Sequence, residues 1–128
     1  MKTLAQIRAK NALDHKTTVQ QALSQSGQGD ALSGFPMLIK TDGLLAALAF
    51  AVERKHNQQD QLVPKHQAHL VIAVVVASHL SSDRVGICDA QNADDLVEEL
   101  AHAEDNSQLR RATAEALAFL NYLKRFVA

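Results

Sequence analysis

Leu109-Arg110-Arg111-Ala112-Thr113-Ala114-Glu115-Ala116-Leu117-Ala118-Phe119-Leu120-Asn121-Tyr122-Leu123-Lys124-Arg125-Phe126-Val127-Ala128 runs without a Gly or Pro, and its reading decides the fold. Leu109, Ala112, Ala116, Phe119, Leu120, Leu123, Phe126 and Val127 recur at three- and four-residue spacing, which is the apolar stripe of a core-facing helix. Arg110 and Arg111 at its start and Lys124 and Arg125 near its end place positive charge at both ends of one helix. A well-packed helix that carries bases but no reactive constellation points to a binding part rather than a catalyst.

The rest of the chain reads in the same way. Apolar residues make up 47% of 128 residues, aromatics only 4%, and there is no Trp. Ala and Leu dominate, which favours close-packed helices over a β-sandwich. This length predicts a single helical domain over 1–128. Such a domain buries roughly two-thirds of its unfolded surface, so it folds without a metal or a disulfide. The predicted architecture is all-α, a single compact bundle of about five to six helices.

Thr3 is a plausible N-cap for a first helix to about Leu23, with Ala5, Ala9, Ala12, Leu13, Val19 and Leu23 as its buried side. Ser24 to Gly29 reads as a loop. Its Gly27-x-Gly29 is no phosphate loop, because Leu32 stands where a third glycine belongs and no strand precedes it. A short helix after Asp30 is expected to be interrupted or to end near Phe35-Pro36, since the residue before a proline avoids the helical region. Thr41 or Asp42 is then expected to cap a nearly all-apolar central helix from Gly43 to about His56. Leu70 to Ala77 is β-branched, yet the apolar stretch from Lys65 to Leu80 lacks turn residues and no other segment offers a strand partner, so it reads as a buried helix. Ala93 to Ala103 reads as a short acidic helix, and Asp105 or Asn106 as the cap of the last one.

No catalytic pattern emerges. The chain has no CxxC, HExxH or GxSxG. His66, His69, His79 and Cys88 lack the convergent spacing of a zinc site and read as surface and boundary residues; no metal or cofactor is expected. Asp94-Asp95 and Glu98-Glu99 are adjacent pairs that diverge on a helix, which marks a solvated acidic face rather than an acid/base pair. Glu115 is placed to pair with Arg111 one turn away. The single Cys88 suits a reducing cytosol. The N-terminus lacks a signal peptide's apolar core, and the longest apolar run falls well short of the roughly 20 residues that cross a membrane. The chain therefore reads as a soluble cytoplasmic protein with no membrane partner and no small-molecule substrate.

Charge is uneven. Between Asp83 and Asp105 eight acids face the single base Arg84, a net of −7, which leaves +6 on the remainder of a chain whose total is −1. Such a dipolar molecule offers one face to phosphate and another to a basic partner. With few aromatics available for base stacking, backbone or duplex-shape contact fits better than stacking on single strands.

Two segments carry a resemblance. Pro36-Met37-Leu38-Ile39-Lys40-Thr41-Asp42-Gly43-Leu44-Leu45-Ala46-Ala47-Leu48-Ala49-Phe50 and Ala112 to Val127, with the weaker Gln6-x-Arg8-Ala9, resemble in order and spacing the small helical subunit of the type III-B CRISPR effector, the Cmr complex. The resemblance implies a helical bundle without catalytic residues. It implies partners as well: other Cmr subunits, further copies stacked in a minor filament, and the guide RNA with its paired target RNA. The pool of RNA contacts is Arg8, Lys16, Lys40, Arg54, Lys55, Arg110, Arg111 and Lys124, with Arg125 assigned to packing or salt bridging. Members of that family are often basic, so a net charge of −1 implies weak, salt-sensitive RNA binding by the isolated chain. The competing readings are a free-standing helical adaptor that binds only protein, and a helix-turn-helix DNA binder. The apolar character of the best-formed helices counts against the latter.

Overall fold

A computed structural model describes residues 1–127. Their order is α1 (Leu4–Ser26), α2 (Ala31–Asp42), α3 (Leu44–Ala51), β1 (Arg54–His56), β2 (Leu62–Pro64), α4 (Gln67–Ser81), α5 (Ala93–Ala101) and α6 (Ser107–Val127). The fold is compact and mostly helical, with one small two-stranded sheet.

α1 starts at a reciprocal cap: Gln6 N–H donates to the Thr3 hydroxyl and Thr3 N–H donates to the Gln6 amide oxygen. The helix outruns the expected end by three residues, to Gly27, whose φ of 68° closes it in the left-handed region. Its buried face is Ile7, Ala12, Val19 and Ala22, whereas Ala5 and Leu13 are exposed. The predicted face is thus rotated, because a charged residue, Arg8, is needed at the packed edge.

α2 runs straight through Pro36. A proline in a helix interior costs about 3 kcal/mol. Phe35 and Ile39, one turn apart and both buried, keep a common face against the core only if the helix continues, and burying two such side chains contributes roughly 3–6 kcal/mol. Thr41 and Asp42 accordingly end α2 rather than capping α3. The break falls at Gly43, whose φ of 95° is open to glycine, and its N–H closes α2 on the Ile39 carbonyl.

α3 ends at Ala51, short of the expected His56. Residues 54–64 instead form an antiparallel hairpin pairing Arg54 with Pro64, Lys55 with Val63 and His56 with Leu62. Its turn is built by Asn57, whose side-chain oxygen accepts from the N–H groups of Gln59 and Gln61, with Asp60 at φ 58°. The hairpin's base is held by Phe50 stacked on His66 at 3.7 Å and by Arg54 on Asp94 at 3.1 Å. The β-branched segment is helical, as expected, in α4, and its Ile72, Ala73, Val75, Val76, Ala77 and Leu80 are buried.

The long helices are joined by one polar network. Arg8 donates to both oxygens of Glu115, at 2.7 and 2.8 Å. His79 Nε2 lies 2.9 Å from Glu115 Oε2, and its Nδ1 lies 2.9 Å from the Asn11 amide nitrogen. A carboxylate only accepts and an amide nitrogen only donates, so His79 is the neutral Nε2–H tautomer. The ring is fully buried and stacks on Phe119 at 4.1 Å. His79 is thus a core residue, not the surface or boundary residue expected, and Glu115 pairs across the fold rather than with Arg111. The network fixes register: positions 8 and 20 of α1 meet 115 and 127 of α6, so the two helices run parallel, while α4 runs antiparallel to α1.

Burial lowers the His79 pKa below its ordinary 6.5, with Glu115 opposing that shift. For Glu115 burial acts upward, but the hydrogen bonds from Arg8 and His79 outweigh it and hold the carboxyl below its ordinary 4.5. In both cases the unfolded chain binds the proton more readily, so stability is full above pH 6.5 and falls as pH drops below 6.5 and again below 4.5. Glu115→Gln is expected to remove the lower step and cost about 3 kcal/mol at neutral pH. Urea unfolding should show this as a reduced midpoint at unchanged slope. An unaltered midpoint would contradict the role given to the network.

Candidate functional site

The face of α6 not spent on the core carries the chain's chemistry. Buried Ala112, Ala116, Phe119, Leu120, Leu123 and Val127 turn inward, and Ala114, Leu117, Ala118, Asn121, Lys124 and Arg125 are left at or near the surface. On one side of this strip, α2 and α6 enclose a groove of about 290 Å³ lined by Lys40 and Lys124 with Ser33, Met37, Leu117 and Asn121. On the other, α1 and α6 enclose one of about 230 Å³ lined by Arg8, Asn121, Tyr122 and Arg125. No carboxylate lines either groove. Lys40, Lys124 and Arg125 have no acidic partner among the described residues.

The structure sorts the sequence-derived candidates. Lys40 and Lys124, 84 positions apart in sequence, converge on one groove. Arg8 lines the neighbouring groove, but its guanidinium is held by Glu115 and its side chain is 23% exposed. Arg54 is paired with Asp94, Lys55 stands exposed on the hairpin, Lys16 is half-buried on α1, and Arg110 and Arg111 are exposed at the start of α6. Arg125, assigned to packing from sequence, is exposed beside Asn121 and belongs with the cationic strip. Asn121 borders both grooves and escaped notice; its position one turn before Lys124 and Arg125 on the solvent side of the stripe was the available signal.

The acidic segment is partly consumed inside the fold. Glu99 is not simply solvated: it accepts from the N–H groups of Asp89 and Ala90 and from the Gln108 side chain, clamping the chain before α5 onto α6. Asp94, Asp95 and Glu98 remain exposed. Among the described residues, no three His, Cys, Asp or Glu side chains gather as metal ligands, and no helix is long and apolar enough to cross a membrane.

The fold is thus a small, mostly helical one with cations lining two grooves beside α6. Its family is established by a match over residues 4–128 to the model for CRISPR-associated protein (Cas_Cmr5), and the chain belongs to that family. It is therefore a small subunit of the type III-B CRISPR effector, the Cmr complex, and associates with other subunits of that complex. Comparison with curated proteins and with solved structures gave no match.

Cys88, buried between α4 and α5 and lining neither groove, is an inert thiol rather than a nucleophile. Burial, reinforced by Glu99 and Asp89, pushes its thiol up to about 12, so almost no thiolate exists at neutral pH. A maleimide or disulfide reagent is expected to leave native protein unlabelled and to react once the chain is unfolded. Fast labelling of the native chain would overturn that assignment.

Proposed function

We propose that this chain is a non-catalytic RNA-contacting subunit of the Cmr complex. In this reading it acts in the cytoplasm, as one helical domain over 1–128, with copies stacked in a minor filament along the guide RNA–target RNA duplex. The observation that carries the RNA reading is the groove between α2 and α6, which Lys40 and Lys124 both line without a carboxylate among the lining residues. Two ammonium groups flanking a recess that also presents the Ser33 hydroxyl and the Asn121 amide suit the oxygens of a phosphodiester backbone. Arg125 extends the same strip around α6. Contacts of this kind read backbone and shape rather than sequence, which suits a subunit that must accept any guide.

Family membership supports the assembly. The pool of contacts narrows on physical grounds. Arg8 and Arg54 have carboxylates to satisfy, so their main work is holding the fold. Lys40, Lys124 and Arg125 lead, with Lys16, Lys55, Arg110 and Arg111 as further contacts. With so few cations per copy, binding by one copy is weak, and affinity accumulates when several are held on one strand.

The test is RNA retention by the reconstituted complex as salt is raised. Lys40→Ala with Lys124→Ala is expected to reduce retention and to lower the slope of log affinity against log salt by about two per copy. The thermal midpoint should not move, because both side chains are exposed. Unchanged retention in a complex that still assembles would favour the adaptor reading, in which the chain contacts protein alone.

A further inference from the structure

The groove between α2 and α6 holds more than its two cations. Ser33, Pro36, Met37 and Lys40 lie along one face of α2, and Leu117, Leu120, Asn121 and Lys124 repeat the same spacing along one face of α6. Each wall therefore combines one lysine, one neutral polar side chain and apolar side chains. The two neutral groups are exposed and have no work inside the fold. The hydroxyls of Ser26, Thr41 and Thr113 donate back to carbonyls of their own helices. The Ser33 hydroxyl and the Asn121 amide make no hydrogen bond among the described residues. Asn121 and Ala118 line the Arg8 groove as well, so they form the ridge between the two grooves, and Ala118 is small enough for a strand to lie close to it.

We propose that Ser33 and Asn121 are specificity-determining residues that recognise the ribose 2′-hydroxyl, so that this groove selects a ribose over a deoxyribose strand. This rests on the RNA-contacting reading above and names what the groove reads beyond charge. Each part of the lining matches one part of a ribonucleotide. An ammonium group only donates, and its natural acceptor is a phosphate oxygen. A hydroxyl and a carboxamide both donate and accept, which is what a 2′-hydroxyl offers in return. The apolar side chains of Met37, Leu117 and Ala118 suit the C–H face of a sugar ring. No aromatic side chain lines the groove, so nothing there stacks on a base. The lysines cannot choose between the two sugars, because both strands carry the same phosphates. The neutral pair can, because a deoxyribose leaves both groups without the partner that a ribose supplies.

The test compares an all-ribose and an all-deoxyribose target strand of one sequence on the reconstituted complex. The complex carries wild-type copies, Ser33→Ala with Asn121→Ala, or Lys40→Ala with Lys124→Ala. Alanine suits a helix, and Ser33 and Asn121 are exposed, so thermal midpoints should stay near that of the wild type. Pairing with the guide differs between the two strands by the same factor in every complex, and it cancels when the ribose preference of one complex is divided by that of another. The Ser33 and Asn121 pair is expected to reduce that preference by about tenfold, as for loss of two neutral hydrogen bonds, with each single substitution giving part of the effect. The slope of log affinity against log salt should not move, because neither side chain is charged. The lysine pair is expected to do the reverse, lowering the slope and weakening both strands alike. Ser33→Thr keeps a hydroxyl and should retain more of the preference than Ser33→Ala. A lysine effect with an unchanged ribose preference in the neutral pair would overturn this assignment and leave RNA contact standing. Equal weakening on both strands by the neutral pair would assign Ser33 and Asn121 to phosphate and overturn it as well. Retention that neither pair alters would overturn both readings.

Discussion

The carboxylate of Glu115 is the constraint on which the rest of the structure depends. It sits on α6 with 6% of its surface exposed, and it satisfies Arg8 on α1 and His79 on α4 together. A buried carboxylate is tolerable only when its lone pairs are filled, and filling them requires three helices to arrive at one register. Apolar packing alone does not impose that. A core rich in Ala, Leu and Val offers many nearly equivalent helix alignments, and a small-residue interface slides more easily than one with interlocked large side chains. The network removes the degeneracy. Asn11 extends it by donating to His79, and Ser82 closes the end of α4 by donating to the His79 carbonyl. Specificity is the best-attested return on a buried polar group of this kind, since its net contribution to stability against an apolar replacement is small.

Ion pairing within the fold divides the cations into two populations. Arg8 is committed to Glu115, and the bond raises its already high pKa. Arg54 is spent on Asp94, and Lys10 on Asp14, one turn along the same helix. Lys40, Lys124, Arg125, Arg110 and Arg111 are left without such partners among the described residues. A chain of net charge −1 can thus still present a cationic strip, because its acids are held elsewhere: Glu115 in the core, Glu99 on the backbone before α5, Asp94 on the hairpin base. Net charge describes the whole molecule, whereas binding follows the local field.

Long periodic segments were legible, and short or conflicted ones were not. α6 read correctly from its stripe, and α4 read correctly because length and the lack of turn residues outweighed its β-branched content. α2 failed at Pro36 because a local penalty of about 3 kcal/mol yields to burial of Phe35 and Ile39, a tertiary gain that no local rule contains. The hairpin failed for a different reason. Its strands span three residues each, below the length at which alternation is a signal, and its information lies in the Asn57 turn, where one side-chain oxygen takes two backbone donors. For the site, residue type was legible and partnership was not. Glu115 one turn from Arg111 gave the local pairing, but the true partners lie 107 and 36 positions away. Lys40 and Lys124 were both candidates, yet only the packing of α2 on α6 brings them to one groove.

Weak contacts are the appropriate strength for a subunit of this kind. Losing free translation and rotation costs an estimated 4–15 kcal/mol, so a small contact between copies does not hold them together at ordinary concentration. The arithmetic changes once a shared strand or a row of other subunits supplies the proximity. The second contact is then intramolecular, at an effective concentration in the millimolar range for closely tethered sites. In the proposed RNA-contacting role the lysines obey the same logic, each contact modest and salt-sensitive in isolation and cumulative along a strand. A strongly self-associating copy would polymerise without RNA, and a strongly RNA-binding copy would scatter over unrelated transcripts. In the proposed role, neutralising Arg8 internally and leaving only a few cations on α2 and α6 avoids both.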